Sequence, residues 1–87
     1  MANIIASGTT EASSSEFTLT TDSANIYITG GAPGSDARAL VQIKAADGTF
    51  STVGELTKQF PAQLLTGAGT YRVTRVATAT AFGVDKN

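Results

Sequence analysis

The sequence has no cysteine and no histidine among its 87 residues. Without cysteine the chain cannot form disulfides, and without either residue a zinc ion would lack its two preferred ligand types. Nucleophilic catalysis by a Ser–His or Cys–His pair is excluded for the same reason. A Ser–Lys pair remains formally available, but no spacing singles one out. We therefore expect no enzyme activity, no cofactor and no metal site.

Charge is also scarce, since charged residues make up 15% of the chain against about 25% in an average globular protein. The net charge of −1 argues against electrostatic binding to nucleic acid. No apolar run approaches the roughly 20 residues of a membrane span, and the first residues lack the basic and apolar regions of a secretory signal. We expect synthesis in a cytoplasm, with neither nucleic acid nor membrane as a partner.

The small size of the chain limits its core. A domain of this length buries about 60% of the surface that its unfolded chain exposes, so its stability is marginal. A surface with few charges is typical of a protein whose surface is largely buried against partner subunits. We therefore expect a homo-oligomer or a protein that docks on a larger assembly.

The pattern of apolar residues indicates strands. Alanine and threonine are the most frequent residues, and no window keeps the i, i+3, i+4 apolar spacing of a helix. Alternation with a period of two recurs, separated by turn-forming residues. The sequence predicts an all-β fold, a small antiparallel β-sandwich or barrel of six to seven strands, with an immunoglobulin-like arrangement as one option.

Two parts of the chain differ in composition. The polar tract at 7–15 has no core material, so we predict an N-terminal arm and linker at 1–15 and a β-sandwich domain at 16–87. Ile4 and Ile5 are adjacent and lie on opposite faces of any strand. They are predicted to pair with a neighbouring subunit or with the chain's own sheet edge.

Within the domain, residues 16–21 and 24–29 predict a hairpin, and 30–37 predict a loop. Residues 38–46 and 49–53 predict strands joined by an Asp47-Gly48 hairpin turn. The segment 54–68 is less regular, and further strands are predicted at 70–76 and 79–85. The predicted core residues are Phe17, Leu19, Ile26, Ile28, Val41, Ile43, Phe50, Leu56, Leu65, Tyr71, Val73, Phe82 and Val84.

Arg72 and Arg75 are the principal candidates for contact with a partner. Strict alternation places Arg72 outward and Arg75 inward, so we expect a bulge near Thr74 or a change of faces there. The two arginines are either solvated charges on a sheet or a pair that docks on acidic groups of another protein. The acidic residues available inside the chain are Asp22, Asp36, Asp47, Glu55 and Asp85.

Three tyrosine and leucine side chains have similar alternative roles. Tyr27 and Leu40 face outward in the predicted strands, either as ordinary exposed apolar residues or as part of a contact surface. Tyr71 follows a Gly-rich turn at the start of a strand. In immunoglobulin-like folds a tyrosine at such a corner bonds to upstream backbone, so a structural role is predicted for Tyr71.

Taken together, several segments between about 14 and 85 resemble small virion proteins of tailed bacteriophages. They are the Ser/Thr-rich start, Ala-Asp-Gly-Thr-Phe at 46–50, Val-Gly-Glu-Leu at 53–56, Gly-Thr-Tyr-Arg-Val at 69–73 after Leu65, and Ala-Thr-Ala-Phe-Gly-Val-Asp at 79–85. The resemblance implies a β-sandwich present in many copies on a particle, and it brings no catalytic residues.

Among such proteins the chain is most like a capsid decoration, or cement, protein. The expected function is to bind and stabilise an assembled phage capsid through the major capsid protein or another virion protein. The expected location is the capsid surface of the virion, after synthesis in the host cytoplasm. The alternative is a tail or head-fibre module that binds a host surface glycan or another virion protein, although the absence of tryptophan argues against sugar stacking.

Overall fold

A computed structural model of the protein describes residues 2–20, 23–30 and 34–87. The described residues contain strands and no helix. The strands are β1 (Ala2–Gly8), β2 (Ala12–Ser13), β3 (Phe17–Leu19), β4 (Ala24–Thr29), β5 (Arg38–Lys44), β6 (Phe50–Thr57), β7 (Ala62–Leu65), β8 (Gly69–Arg75) and β9 (Phe82–Lys86).

The strands form two antiparallel sheets packed face to face, so the predicted all-β fold is confirmed, with the sandwich as the observed one of the two predicted architectures. The predicted number of six to seven strands is too low, because the described residues form nine. Sheet A has the order β1-β9-β4-β7. Sheet B has the order β2-β8-β5-β6. β3 also pairs with β8, at residues 69–71, whereas β2 pairs with the end of that strand at residues 74–75. The segments that the sequence did not predict are β2 and β7, which are also among the shortest.

The core lies between the inward faces of the two sheets. Of the thirteen predicted core residues, nine are buried, and Phe17, Ile28 and Ile43 are half-buried against them. Among the described residues, Ile5 and three alanines are also buried in this core. Phe50 is the exception.

The predicted hairpin at Asp47-Gly48 is confirmed. β5 and β6 pair on either side of it, and Gly48 has a φ of 91°, a left-handed conformation that glycine adopts without steric cost. The Asp47 carboxylate accepts hydrogen bonds from the backbone N–H and the hydroxyl of Thr49 at 3.0 and 2.7 Å. The turn is therefore fixed by its own local chemistry.

β6 is longer than predicted and contains a register shift. Val41 pairs with Gly54, whereas Gln42 pairs with Thr52, so Val53 has no partner on β5. The extra residue reverses the alternation of faces within β6. Phe50 and Leu56 would share a face in a regular strand, but here Leu56 is buried and Phe50 lies on the outer face. The prediction that Phe50 is a core residue is therefore wrong.

Two further predictions need correction. Residues 16–21 and 24–29 do not form a hairpin, because β3 belongs to sheet B and β4 to sheet A. The chain crosses between the sheets here, and Asp22 of the predicted turn lies outside the described residues. The segment 54–68 is not irregular throughout, since β6 continues to Thr57 and β7 follows Pro61.

Residues 2–13 lie within the sandwich in this structure. β1 pairs with β9 at the edge of sheet A, and β2 pairs with β8 at the edge of sheet B. Ser14 continues this second edge, because its backbone N–H donates to Val73 and its hydroxyl accepts from the Val73 N–H at 2.9 Å. The chain thus passes from one sheet to the other within the segment predicted as a linker.

Candidate functional site

The six residues predicted to contact a partner lie in separate parts of the sandwich. Arg72 and Leu40 share the outer face of sheet B, and Tyr27 lies on the outer face of sheet A. Ile4 and Ile5 belong to the edge strand β1, and Arg75 points into the interior. Of these six residues, Arg72 and Leu40 therefore share one outer face, and Ile4 and Ile5 share one strand.

Arg75 is buried, with 3% of its surface exposed. The pairing of β8 with β5 is regular as far as Arg75, so the bulge expected near Thr74 is absent and Arg75 stays on the inward face. Its guanidinium donates to the carbonyl oxygens of Thr10, Ala6 and Phe82 at 2.7–2.8 Å. Arg75 thus joins β1, the following loop and β9, and it does not share a surface with Arg72.

Ile4 and Ile5 are held by the chain's own sheet, which is one of the two outcomes predicted for them. Ile5 pairs with Val84 and is 4% exposed, whereas Ile4 lies at a register shift and is half-buried against the core. Tyr27 is half-buried between Ala62 and Asp85 of the neighbouring strands. These positions stabilise sheet A and leave little of the isoleucine side chains for a partner.

Arg72 is the centre of a preformed cluster on the outer face of sheet B. Its guanidinium carbon lies 3.9 Å from the centre of the Phe50 ring, and its Nε donates to Gln42 Oε1 at 2.8 Å. The cluster depends on the register shift at Val53, which turns Phe50 outward under the arginine. Sequence analysis missed Phe50 and Gln42 as site residues, because the extra residue in β6 that turns Phe50 outward leaves no signal in the apolar pattern.

A chain of hydrogen bonds extends from this cluster to the sheet edge. Gln42 Oε1 also accepts from the Thr74 hydroxyl at 3.2 Å, and that hydroxyl bonds with the Ser13 hydroxyl at 3.0 Å. The side-chain oxygen of Gln42 is therefore fixed from two sides. The bond to Arg72 Nε then holds the plane of the guanidinium in one orientation.

The other cations of this face already have acidic partners. Arg38 Nε lies 2.9 Å from Glu55 Oε2, and Lys44 Nζ lies 3.4 Å from Glu16 Oε1. Both pairs are well exposed, so each contributes little to stability. Among the described residues, Arg72 is the cation of this face that has no carboxylate within salt-bridge distance.

The acidic residues considered for Arg72 are engaged elsewhere. Asp36 accepts from the backbone N–H of Ala79 and from the Thr78 hydroxyl, and these bonds, in that order of importance, lower its pKa. Asp85 accepts from Asn3 at 2.8 Å and from Thr29 at 3.3 Å.

Two of the other three acidic residues also have partners of their own. Asp47 accepts hydrogen bonds within its own turn, and Glu55 pairs with Arg38. Asp22 lies outside the described residues.

Two other surface features could contact a ligand. An open groove of about 750 Å³ is lined by polar and charged residues between β4 and β5 and after β6. Among the residues that the structure describes, three large apolar side chains are more than half exposed, namely Val53, Phe60 and Leu64, with exposures of 51%, 70% and 56%. They lie on the edge strands β6 and β7 or in the turn between them.

In the parts of the chain that the structure describes, no helix is long and apolar enough to cross a membrane. Comparison with protein-family models, curated proteins and solved structures finds no match to the chain.

Proposed function

We propose that the chain is a structural virion protein that binds and stabilises an assembled phage capsid. The observation that carries the proposal is the outer face of sheet B. On this face Arg38 and Lys44 are paired with glutamates, and Arg72 is held in place without an acidic partner among the described residues. The resemblance of the sequence to virion proteins names the class of partner, the major capsid protein or another virion protein.

The composition of the face suits it to docking. Side chains such as lysine, glutamate and arginine lose the most rotamer freedom when they are covered. On this face the long side chains are already held by neighbours, and threonine and serine hydroxyls pair with each other between the strands, as at Thr18 and Thr70. Covering the face therefore costs little additional side-chain entropy.

Stabilisation of a capsid follows from mass action. A protein that binds the assembled lattice but not the free subunit shifts the equilibrium towards the assembled state. Many copies, or an oligomer with several docking faces, would add avidity to weak single contacts. The exposed apolar side chains on the edge strands β6 and β7 support a homo-oligomer, because such edges are common sites of association.

The test uses purified particles of the phage that encodes the chain. We expect mass spectrometry to give hundreds of copies per particle, and particles stripped of the protein to lose their contents at a lower temperature. Adding the purified chain back should restore the original temperature, and unassembled capsid protein should not bind it. A handful of copies, or unchanged particle stability with no binding, would contradict the proposal.

The groove beside Arg38 favours the second candidate function, a tail or head-fibre module that binds a host surface glycan. Hydroxyl and charged groups in an open groove suit the hydrogen bonding of a sugar. Aromatic stacking is less available, because Tyr71 is buried and Tyr27 is half-buried on the other sheet. Specific binding on a glycan array that is lost in Lys58→Ala would support this candidate over capsid binding. The groove is lined by Ser35, Asp36, Ala37, Arg38, Thr57, Lys58 and Gln59.

A further inference from the structure

We infer that Arg72, Phe50 and Gln42 form a receptor for one carboxylate group on an acidic protein surface. The inference rests on the proposed function, because it names the chemistry by which the outer face of sheet B would recognise a virion protein. Arg72 Nη1 and Nη2 make no hydrogen bond to the described residues, whereas Nε is already bound to Gln42. The two Nη atoms can therefore donate in parallel to two carboxylate oxygens.

The arrangement removes much of the usual cost of an exposed arginine contact. A free arginine loses several rotamers when it binds, which is one reason why surface ion pairs contribute little. Here the Phe50 ring supports one face of the guanidinium at 3.9 Å, and Gln42 fixes its rotation at 2.8 Å. The partner carboxylate meets a group that is already oriented.

The local charge distribution identifies a protein carboxylate as the occupant. Phosphate backbones are bound by several cations acting together, but Arg38 and Lys44 on this face are each paired with glutamate. A single guanidinium with no carboxylate partner on this face matches a single aspartate or glutamate side chain. Planar, two-oxygen groups are also the ones that the arginine fork binds with two parallel bonds.

The first experiment measures directly whether Arg72 binds a carboxylate. The chain is labelled with ¹⁵N, and the Nε–Hε resonances of Arg72 and Arg38 are followed while a hexaglutamate peptide is added. We expect the Arg72 resonance to shift in a saturable manner and the Arg38 resonance to stay within one tenth of that shift. An equal response of both arginines, or an equal response to hexaglutamine, would overturn the inference.

Inorganic phosphate is added in a parallel titration at the same ionic strength. A saturable shift of Arg72 at lower phosphate than peptide concentration would overturn the assignment to a protein carboxylate. We expect the peptide to act at the lower concentration, because the neighbouring polar face can contact its backbone.

Variants then test the receptor on particles. Arg72→Ala should weaken binding to stripped particles at least tenfold, and Arg72→Lys should lose most of the same affinity because lysine lacks the planar fork. Gln42→Glu keeps an acceptor for Nε but gives Arg72 an internal carboxylate, so it should also weaken binding at least tenfold. Arg38→Ala is the matched control, with the same change of charge on the same face, and should bind within threefold of the wild type.

The outcomes separate this inference from the proposed function. If the wild-type chain binds particles and Arg72→Ala binds equally well, the receptor is wrong and capsid binding stands. If the wild-type chain does not bind particles but the peptide titration selects Arg72, capsid binding is wrong and the carboxylate receptor stands. Circular dichroism and thermal unfolding of each variant confirm that the fold is intact.

Discussion

Arg72 and Arg75 lie on the same strand and extend from opposite faces of sheet B. Arg75 is buried and donates to three backbone carbonyls, whereas Arg72 is half-buried on a Phe50 ring at the surface. One residue type on one strand thus serves two purposes. The inward arginine joins segments of the fold, and the outward one is available to a partner.

The two arginines should therefore differ in their contribution to stability. Replacing Arg75 with methionine leaves three carbonyls without their charged donor, and we expect a loss of about 3 kcal/mol in the free energy of unfolding. Arg72→Met removes a half-buried stacking contact with Phe50 and one hydrogen bond to Gln42. The Gln42 oxygen keeps the Thr74 hydroxyl as a donor, so this variant should cost about 1 kcal/mol. Urea unfolding of the two variants measures both values. Equal losses would contradict the assignment of Arg75 to the fold and Arg72 to the surface.

Alternation along β8 could be predicted from the sequence and places Arg75 inward, but the prediction of a bulge or a change of faces near Thr74 is wrong. A charged side chain on the inward face is costly unless its donors are satisfied, so a bulge was expected. The structure satisfies Arg75 with carbonyls from β1, the loop after it and β9. Those acceptors are about seventy positions away along the chain or belong to another strand, and local sequence patterns do not reveal them.

The outward position of Phe50 could not be predicted from the sequence either. Most of the core follows from alternation within each strand, as at Val41, Val73 and Val84. A single unpaired residue in β6 reverses that alternation, and a shift of one position is not visible in the apolar pattern. The residues of the candidate site therefore depended on the one feature of β6 that the sequence did not specify.

The hydroxyl of Tyr71 donates to the carbonyl of Gly67 at 3.1 Å, as predicted for a tyrosine at such a corner. We expect Tyr71→Phe to lower the free energy of unfolding by about 1 kcal/mol, because it removes this bond and keeps the buried ring. Tyr27→Phe is the matched control, since the Tyr27 hydroxyl has no hydrogen bond within the described residues. Thermal unfolding of both variants tests the difference, and an equal effect would assign no role to the corner bond.

The stability of the fold should decrease in acid, because two carboxylates in turns, Asp36 and Asp47, become protonated. Hydrogen bonds from Ala79 and Thr78 lower the pKa of Asp36, and the Thr49 hydroxyl and backbone N–H lower that of Asp47. A carboxyl group whose pKa is lowered by folding stabilises the protein above its ordinary value and loses this effect as the pH falls through the folded value.

The unfolding temperature of the wild type should therefore fall progressively below about pH 4. The double variant Asp36→Asn/Asp47→Asn should start lower at pH 7 and show a smaller decrease between pH 4 and pH 2. Thermal unfolding across this range measures both slopes. Parallel curves for the two proteins would show that these carboxylates do not cause the acid sensitivity.

Gly83 determines whether β1 can stay on sheet A. A Cβ at this position would lie 2.6 Å from the backbone carbonyl oxygen of Ile5, and backbone cannot rotate away as a side chain does. Gly83→Ala should displace β1 and expose Ile5, with a loss of about 2 kcal/mol from that side chain alone. Gly48→Ala is the control, because its Cβ meets open space and its cost in stability, about 1–2 kcal/mol, comes only from the positive φ.

Hydrogen exchange distinguishes the two variants. Gly83→Ala should lose protection of the backbone N–H groups across residues 3–8, whereas Gly48→Ala should retain it. Retained protection in both variants would mean that β9 can accommodate the methyl group without releasing the N-terminal strand.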